Sequence, residues 1–153
     1  MKILAIDPGP EQSAAVVWSI EDSKIIAHWQ CLNRLFRAAL HSWKSDIDMC
    51  VIEDMAFYGK VMNSSSFDTL KFIGMVQEIF YTKHHLVIFP DIALHFCNAR
   101  NGVKTSNINA VLVHRFGGKG TKKDPGAFYG IKEHEWSAVA VAVYYHDVYF
   151  SGI

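Results

Sequence analysis

Short apolar runs, each cut off by an acid or a turn residue, set the rhythm of this chain. Residues 1–6 form one such run, broken at once by Asp7, Pro8 and Gly9, and a second β-prone run covers 14–18. Both read as buried strands lying side by side, with Asp7 at the end of the first against a tight turn. Glu21, Asp22 and Ser23 mark a hairpin turn, so 24–31 returns as a third strand and completes an antiparallel unit. Asn33 is then placed to cap a helix running through His41. Leu35, Phe36, Ala39 and Leu40 supply its apolar face, and Trp43 covers its end.

Residues 48–52 are again short, mostly apolar and bounded by charge, and they end at Glu53 and Asp54. A strand entered after a helix implies parallel pairing. The spacing of Phe67, Leu70, Ile73, Gln77 and Phe80 predicts a long helix over 66–81, with Gly74 admitting a close helical neighbour. Residues 86–89 read as a short strand stopped by Pro90, and 91–96 as a turn of helix. Ser106 or Asn107 opens another helix that closes at Arg115, Phe116, Gly117 and Gly118. The stretch 119–130, rich in glycine and lysine, is the least ordered in character. A last helix is expected over 133–149, offering Ala138, Val141, Ala142 and Tyr145 to the sheet. The order of elements is that of an α/β protein, expected as one domain over 1–153 without repeats or low-complexity segments.

Composition narrows the class. Half of the residues are hydrophobic and 20% are charged, a balance that suits a packed core. No run approaches the roughly 18 apolar residues of a membrane span, and the N-terminus lacks the pattern of a signal peptide. Cys31, Cys50 and Cys97 are an odd number without metal-site spacing, as expected of free thiols in a reducing, cytoplasmic setting. Fifteen basic and fifteen acidic side chains cancel, but not evenly along the chain. Residues 100–132 hold seven basic side chains against Asp124 alone, so this quarter carries +6 and the rest −6.

The candidate chemistry lies at the strand ends. Asp7 is either a turn residue bonding its own backbone or a metal ligand held on a rigid element. Glu53 ends a second hydrophobic strand, and in open α/β sheets ligands bind at that edge. Two acids meeting there would form an anionic pocket for a hard divalent cation, Mg2+ or Mn2+, together with substrate phosphate. That arrangement suits phosphodiester hydrolysis. A further ligand should come from the start of the last helix, which offers Glu133, His134, Glu135 and Ser137. Glu133 and Glu135 are equally explained as first-turn acids favoured by the helix dipole. Lys60 in the loop 57–64 could reach a phosphate, while Phe57 and Tyr58 either stack on a base or close the core. The eight histidines show no paired zinc spacing, and no phosphate-binding loop or serine elbow is present.

Set side by side, these segments resemble the RuvC-like Holliday-junction resolvases, especially their small bacteriophage versions. The resemblance rests on Ala5-Ile6-Asp7-Pro8-Gly9 with Gln12-Ser13-Ala14, on Val16-Val17-Trp18, on Tyr129-Gly130-Ile131, and on His134-Glu135-Trp136-Ser137-Ala138 followed by alternating Val and Ala to Ala142. It implies a ribonuclease-H-like fold, a five-stranded mixed sheet flanked by helices. It also implies a homodimer that uses magnesium to nick two symmetric strands of a four-way DNA junction in the cytoplasm, in the host's if phage-encoded. Carried over by position, Asp7 is the first-strand ligand, Glu53 the acid ending the fourth strand, and His134 the residue where the family places Asp or His. Ser137 stands where a final Asp is usual, so Glu135 or Glu133 is expected to compensate. Catalytic and metal-binding roles thus fall to Asp7, Glu53, His134 and Glu135. DNA contacts fall to Lys104, Lys119, Lys122, Lys123 and Lys132, with Phe57, Tyr58 and Lys60 as a second group. A branched-DNA-binding accessory protein with little cleavage, or a flap or fork endonuclease, are the competing readings.

Overall fold

The computed structural model describes residues 1–56, 59 and 61–151. Phe57, Tyr58 and Lys60 lie outside the described residues. Five strands, β1 (Lys2–Asp7), β2 (Gln12–Ser19), β3 (Lys24–Leu32), β4 (Met49–Asp54) and β5 (His84–Ile88), make one sheet in the order β3-β2-β1-β4-β5. β2 pairs antiparallel with β1 and with β3, whereas β4 pairs parallel with β1 and with β5. The mixed five-stranded sheet is the expected one.

The sheet separates two cores because alternate side chains leave opposite faces. Leu4, Ile6, Ala15, Val17, Cys50 and Ile52 point toward α1 (Asn33–Trp43) and α2 (Ser64–Ile79). Ile3, Ala5, Val16, Trp18, Val51 and Val87 point the other way, toward α3 (Phe89–Cys97), α4 (Thr105–Phe116) and α5 (Glu135–Phe150). Asp7 continues the Ile3–Ala5 alternation and Glu53 continues that of Val51, so both carboxylates leave the α5 face. α5 runs through the middle of that layer. Ala138 to Val143 are all at most 2% exposed, and their small or β-branched side chains let the helix lie close on β1, β2 and β4.

Several expectations are corrected in detail. Asn33 is the first residue of α1 and does not cap it; the extended cap is Leu32. The Asn33 amide instead ties down the turn after β1, donating to the Gly9 carbonyl at 2.8 Å and accepting from the Ser13 hydroxyl at 2.7 Å. Ser13 in turn accepts from the Gly9 N–H at 3.1 Å. β5 begins two residues earlier than expected and ends before Pro90, which sits in the first turn of α3, where its missing N–H costs nothing. α2 begins earlier than expected, its cap being Asn63, which accepts from the Ser66 N–H at 3.0 Å. Within the chain Gly74 packs against no helix: it is exposed, with nothing within 4 Å of the place a Cβ would occupy.

The stretch 119–130 is compact. Gly120 bridges Pro125, Thr121 N–H donates to Asp124 O at 2.8 Å, and Gly126 N–H to Lys119 O at 2.9 Å. Gly120, at φ +66°, has no room for a Cβ, which would stand 2.2 Å from the Gly126 nitrogen. Interleaved glycines and lysines gave this stretch its disordered character in sequence, but they do not reveal the tight backbone pairing that holds it.

Candidate active site

Asp7 and Glu53 stand side by side. Ile6 pairs with Ile52 in the parallel β1–β4 ladder, and the two acids follow one residue later on their respective strands. Asp7 is largely shielded, with 17% of its side chain exposed. Burial pushes its carboxyl up to about 6, against the opposing pull of His134 and a hydrogen bond from Ser137. Glu53 is pushed up to about 8, first by burial and then by the charge of Asp7. Two adjacent buried acids with so little positive compensation favour the neutral form.

His134, the residue just before α5, brings its Nδ1 to 3.3 Å from Asp7 Oδ2, and 64% of its side chain remains exposed. Ser137, one turn into the helix, also faces Asp7. A hydroxyl there pulls the Asp7 carboxyl down but cannot supply the missing charge.

Glu135 does not join this group. It is 2% exposed, with Oε1 3.0 Å from His28 Nδ1 and Oε2 accepting the Lys132 N–H at 3.0 Å. The expectation that it serves as a ligand followed from its place in the first turn. Helical geometry turns it instead toward β3, away from Asp7. Glu133 is engaged as well, its Oε2 accepting from Gln30 Nε2 at 3.1 Å. Among the described residues, no three or more His, Cys, Asp and Glu side chains are gathered closely enough to hold one metal ion. The Asp7–Glu53 pair nevertheless suits a hard divalent cation in part: two oxygen donors share one site, and a positive charge would offset the burial that raises both carboxyls and the Asp7 charge that raises Glu53 further.

Two cavities meet at Asp7. One of about 390 Å³ is lined by Asp7, Glu53, Asp54, Thr69, Arg100 and Asn101 among others. The other, about 360 Å³, is lined by the turn 8–12 with Asp7 and His134. Asp54, Thr69, Arg100 and Asn101 were not singled out for the site by sequence. Arg100 is held toward the first cavity by Asp91, Nη1 to Oδ1 2.8 Å. The Asn101-Gly102 turn signal was legible, but its place opposite the acids depends on where α3 ends. Of the lysines expected to touch DNA, Lys104 immediately precedes α4, Lys119, Lys122 and Lys123 belong to the tight hairpin, and Lys132 lies in the approach to His134; all five are exposed. The Lys119 ammonium lies 5.6 Å from the centre of the Trp136 ring. No helix among the described residues is long and apolar enough to cross a membrane.

No family model and no curated protein matches the sequence. Solved structures do match. The structure of Thermus thermophilus RuvC is similar with a TM-score of 0.71 at 13% identity, over 99% of this chain and 97% of that one. T. thermophilus RuvC in complex with a Holliday junction substrate is similar with a TM-score of 0.68 at 12% identity, over 97% and 94% of the two chains. The chain therefore has the RuvC fold, a ribonuclease-H-like five-stranded mixed sheet flanked by helices.

Proposed function

We propose that this chain is a structure-selective DNA endonuclease that resolves four-way junctions by metal-dependent phosphodiester hydrolysis. The carrying observation is the adjacency of Asp7 and Glu53 at the ends of two neighbouring parallel strands, beside a cavity, within a fold similar over almost its whole length to that of a junction-bound RuvC. Asp7 and Glu53 would hold Mg2+, or Mn2+. When bound, such an ion supplies Lewis acidity for activating water and stabilising the leaving oxygen. His134, close to Asp7 yet open to solvent, is placed to hold or pass a proton at the edge of the site. Lys104, Lys119, Lys122, Lys123 and Lys132 would bind DNA phosphates and position the branches without reading bases.

A homodimer belongs to this proposal, and the outer face of α2 supports it. Phe67 is 52% exposed, Tyr81 just beyond the helix is 80% exposed, and the open Gly74 lies between them. A two-fold axis at Gly74 would set Phe67 of one copy against Tyr81 of the other, a self-complementary contact.

The test is cleavage of a synthetic four-way junction with and without Mg2+, compared with flap and fork substrates on the same gel. Symmetric nicks by the wild type that disappear in Asp7→Asn support the reading; cutting by Asp7→Asn at the wild-type rate overturns it. A second reading, branched-DNA binding with little cleavage, is favoured by Ser137 in place of a third acid and by the lack of a larger ligand cluster among the described residues. Tight junction binding without cleavage in either Mg2+ or Mn2+ is its signature.

A further inference from the structure

Both neighbours of His134 are tied to the same strand. Glu135 is buried, and a carboxylate so shielded needs partners for its oxygens; it finds them in His28 and the Lys132 N–H. Glu133 holds a left-handed φ of +45°, a conformation costly for a side chain of that kind unless its surroundings impose it. Its carboxylate accepts from Gln30. His28 and Gln30 are two residues apart on β3 and so share a face. The sheet register places Val16 between Ala5 and His28 in one row, and Ala14 between Asp7 and Gln30 in the next. Gln30 is thus in line with Asp7 across the sheet. The approach to the helix is held just as closely at Gly130, where a Cβ would stand 3.3 Å from His28 Nε2.

We infer that His28 and Gln30 form a clamp that grips Glu135 and Glu133 and thereby sets His134 against Asp7, so that Glu135 is a positioning residue and not a metal ligand. Glu135, Glu133 and His134 are consecutive, and fixing the outer two leaves the imidazole between them little freedom of approach. A backbone turn that is left-handed at both Gly130 and Glu133 would otherwise relax. The catalytic consequence of the clamp rests on the nuclease reading; the clamp itself does not.

Glu135→Ala and Glu135→Gln separate the alternatives. The amide of Gln can still accept from Lys132 and reach His28, but it is a poor metal ligand. In the metal-free protein, the His134 side-chain resonances read its contact with Asp7. In the wild type they should shift on Asp7→Asn, and the clamp requires this response to be lost with Glu135→Ala and kept with Glu135→Gln. In single-turnover junction cleavage at saturating protein, Glu135→Ala should lose roughly tenfold to a hundredfold in rate, the scale of a misplaced reacting group. Junction affinity should be unchanged, and Glu135→Gln should recover most of the rate. Gln30→Ala should show the same pattern more weakly, and it serves if Glu135→Ala does not fold. An unaltered His134 response in the alanine variants overturns the clamp. Glu135→Gln as inactive as Glu135→Ala overturns the positioning role in favour of the charge itself. If the wild type cuts no junction, the nuclease reading fails and the resonance experiment still decides the clamp.

Discussion

The two ends of α5 treat a shielded acid in opposite ways. At its C-terminal end, Asp147 is gripped by Arg115 through two hydrogen bonds of 2.5 and 2.8 Å and by His95 at 2.8 Å. Burial works against ionisation there, but Arg115 and then His95 outweigh it and hold the carboxyl below its ordinary range. At the N-terminal end, Asp7 and Glu53 face each other, and both are raised by burial. One end is an internally completed structural tie. The other carries an electrostatic cost that only a proton or an added cation removes. That asymmetry, more than the presence of acids, singles out the N-terminal end as the candidate site.

The comparison breaks most sharply at Asp7. Asp7→Asn should reduce junction cleavage by about 10²–10⁴-fold, the scale for a group acting at the reacting centre, while the metal-free protein melts no lower than the wild type. A melting temperature well below the wild type's would make Asp7 structural after all. Asp147→Ala should do the reverse. Unfolding in urea should show a loss of about 1–3 kcal/mol, the range for leaving a partly shielded charge without its partner, with the cleavage rate at saturation preserved.

The pH dependence should also divide the two ends. Glu53 and Asp7 have folded-state values raised from 4.5 to about 8 and from 3.8 to about 6. Their contribution to stability is complete below their unfolded values and is lost as pH rises through the folded ones. Asp147 is lowered, so its contribution is present above its unfolded value and is lost as pH falls through the folded one. Metal-free melting curves should therefore decline on the alkaline side in wild type and decline less in Asp7→Asn, where the burial of Glu53 alone remains. Mg2+ should recover the alkaline loss. An alkaline limb that neither Mg2+ nor Asp7→Asn alters would show that the acid pair is not the cause.

The smallest effect belongs to the hairpin. Lys122→Ala with Lys123→Ala should weaken junction binding and lower the slope of log affinity against log salt by about one for each phosphate left without its lysine. Cleavage at saturating protein should stay unchanged. A slope identical to that of the wild type removes these two lysines from the interface.

Legibility in the sequence followed the range of the interaction. The antiparallel β1–β3 unit, the parallel entry of β4 and the strand-end acids were visible because strand patterning and turn residues act over a few positions. Asn33 looked like a helix cap on local grounds, yet its amide is spent on Gly9 and Ser13, which become its neighbours only when the sheet forms. Gly74 looked like a packing residue and is open to solvent, because periodicity gives a helix its faces but not what covers them.

Alternating hydrophobicity and abrupt acids were thus enough to set the strands and helices in order and to put Asp7 and Glu53 at strand ends; the five-stranded mixed sheet came from the resemblance. The tertiary structure alone decided which last-helix residues face those two acids. Three consecutive side chains, Glu133, His134 and Glu135, carry similar chemistry in sequence, but each leaves the backbone in its own direction. Only the packing of α5 over β1–β3 sends His134 to Asp7 and the two glutamates to Gln30 and His28.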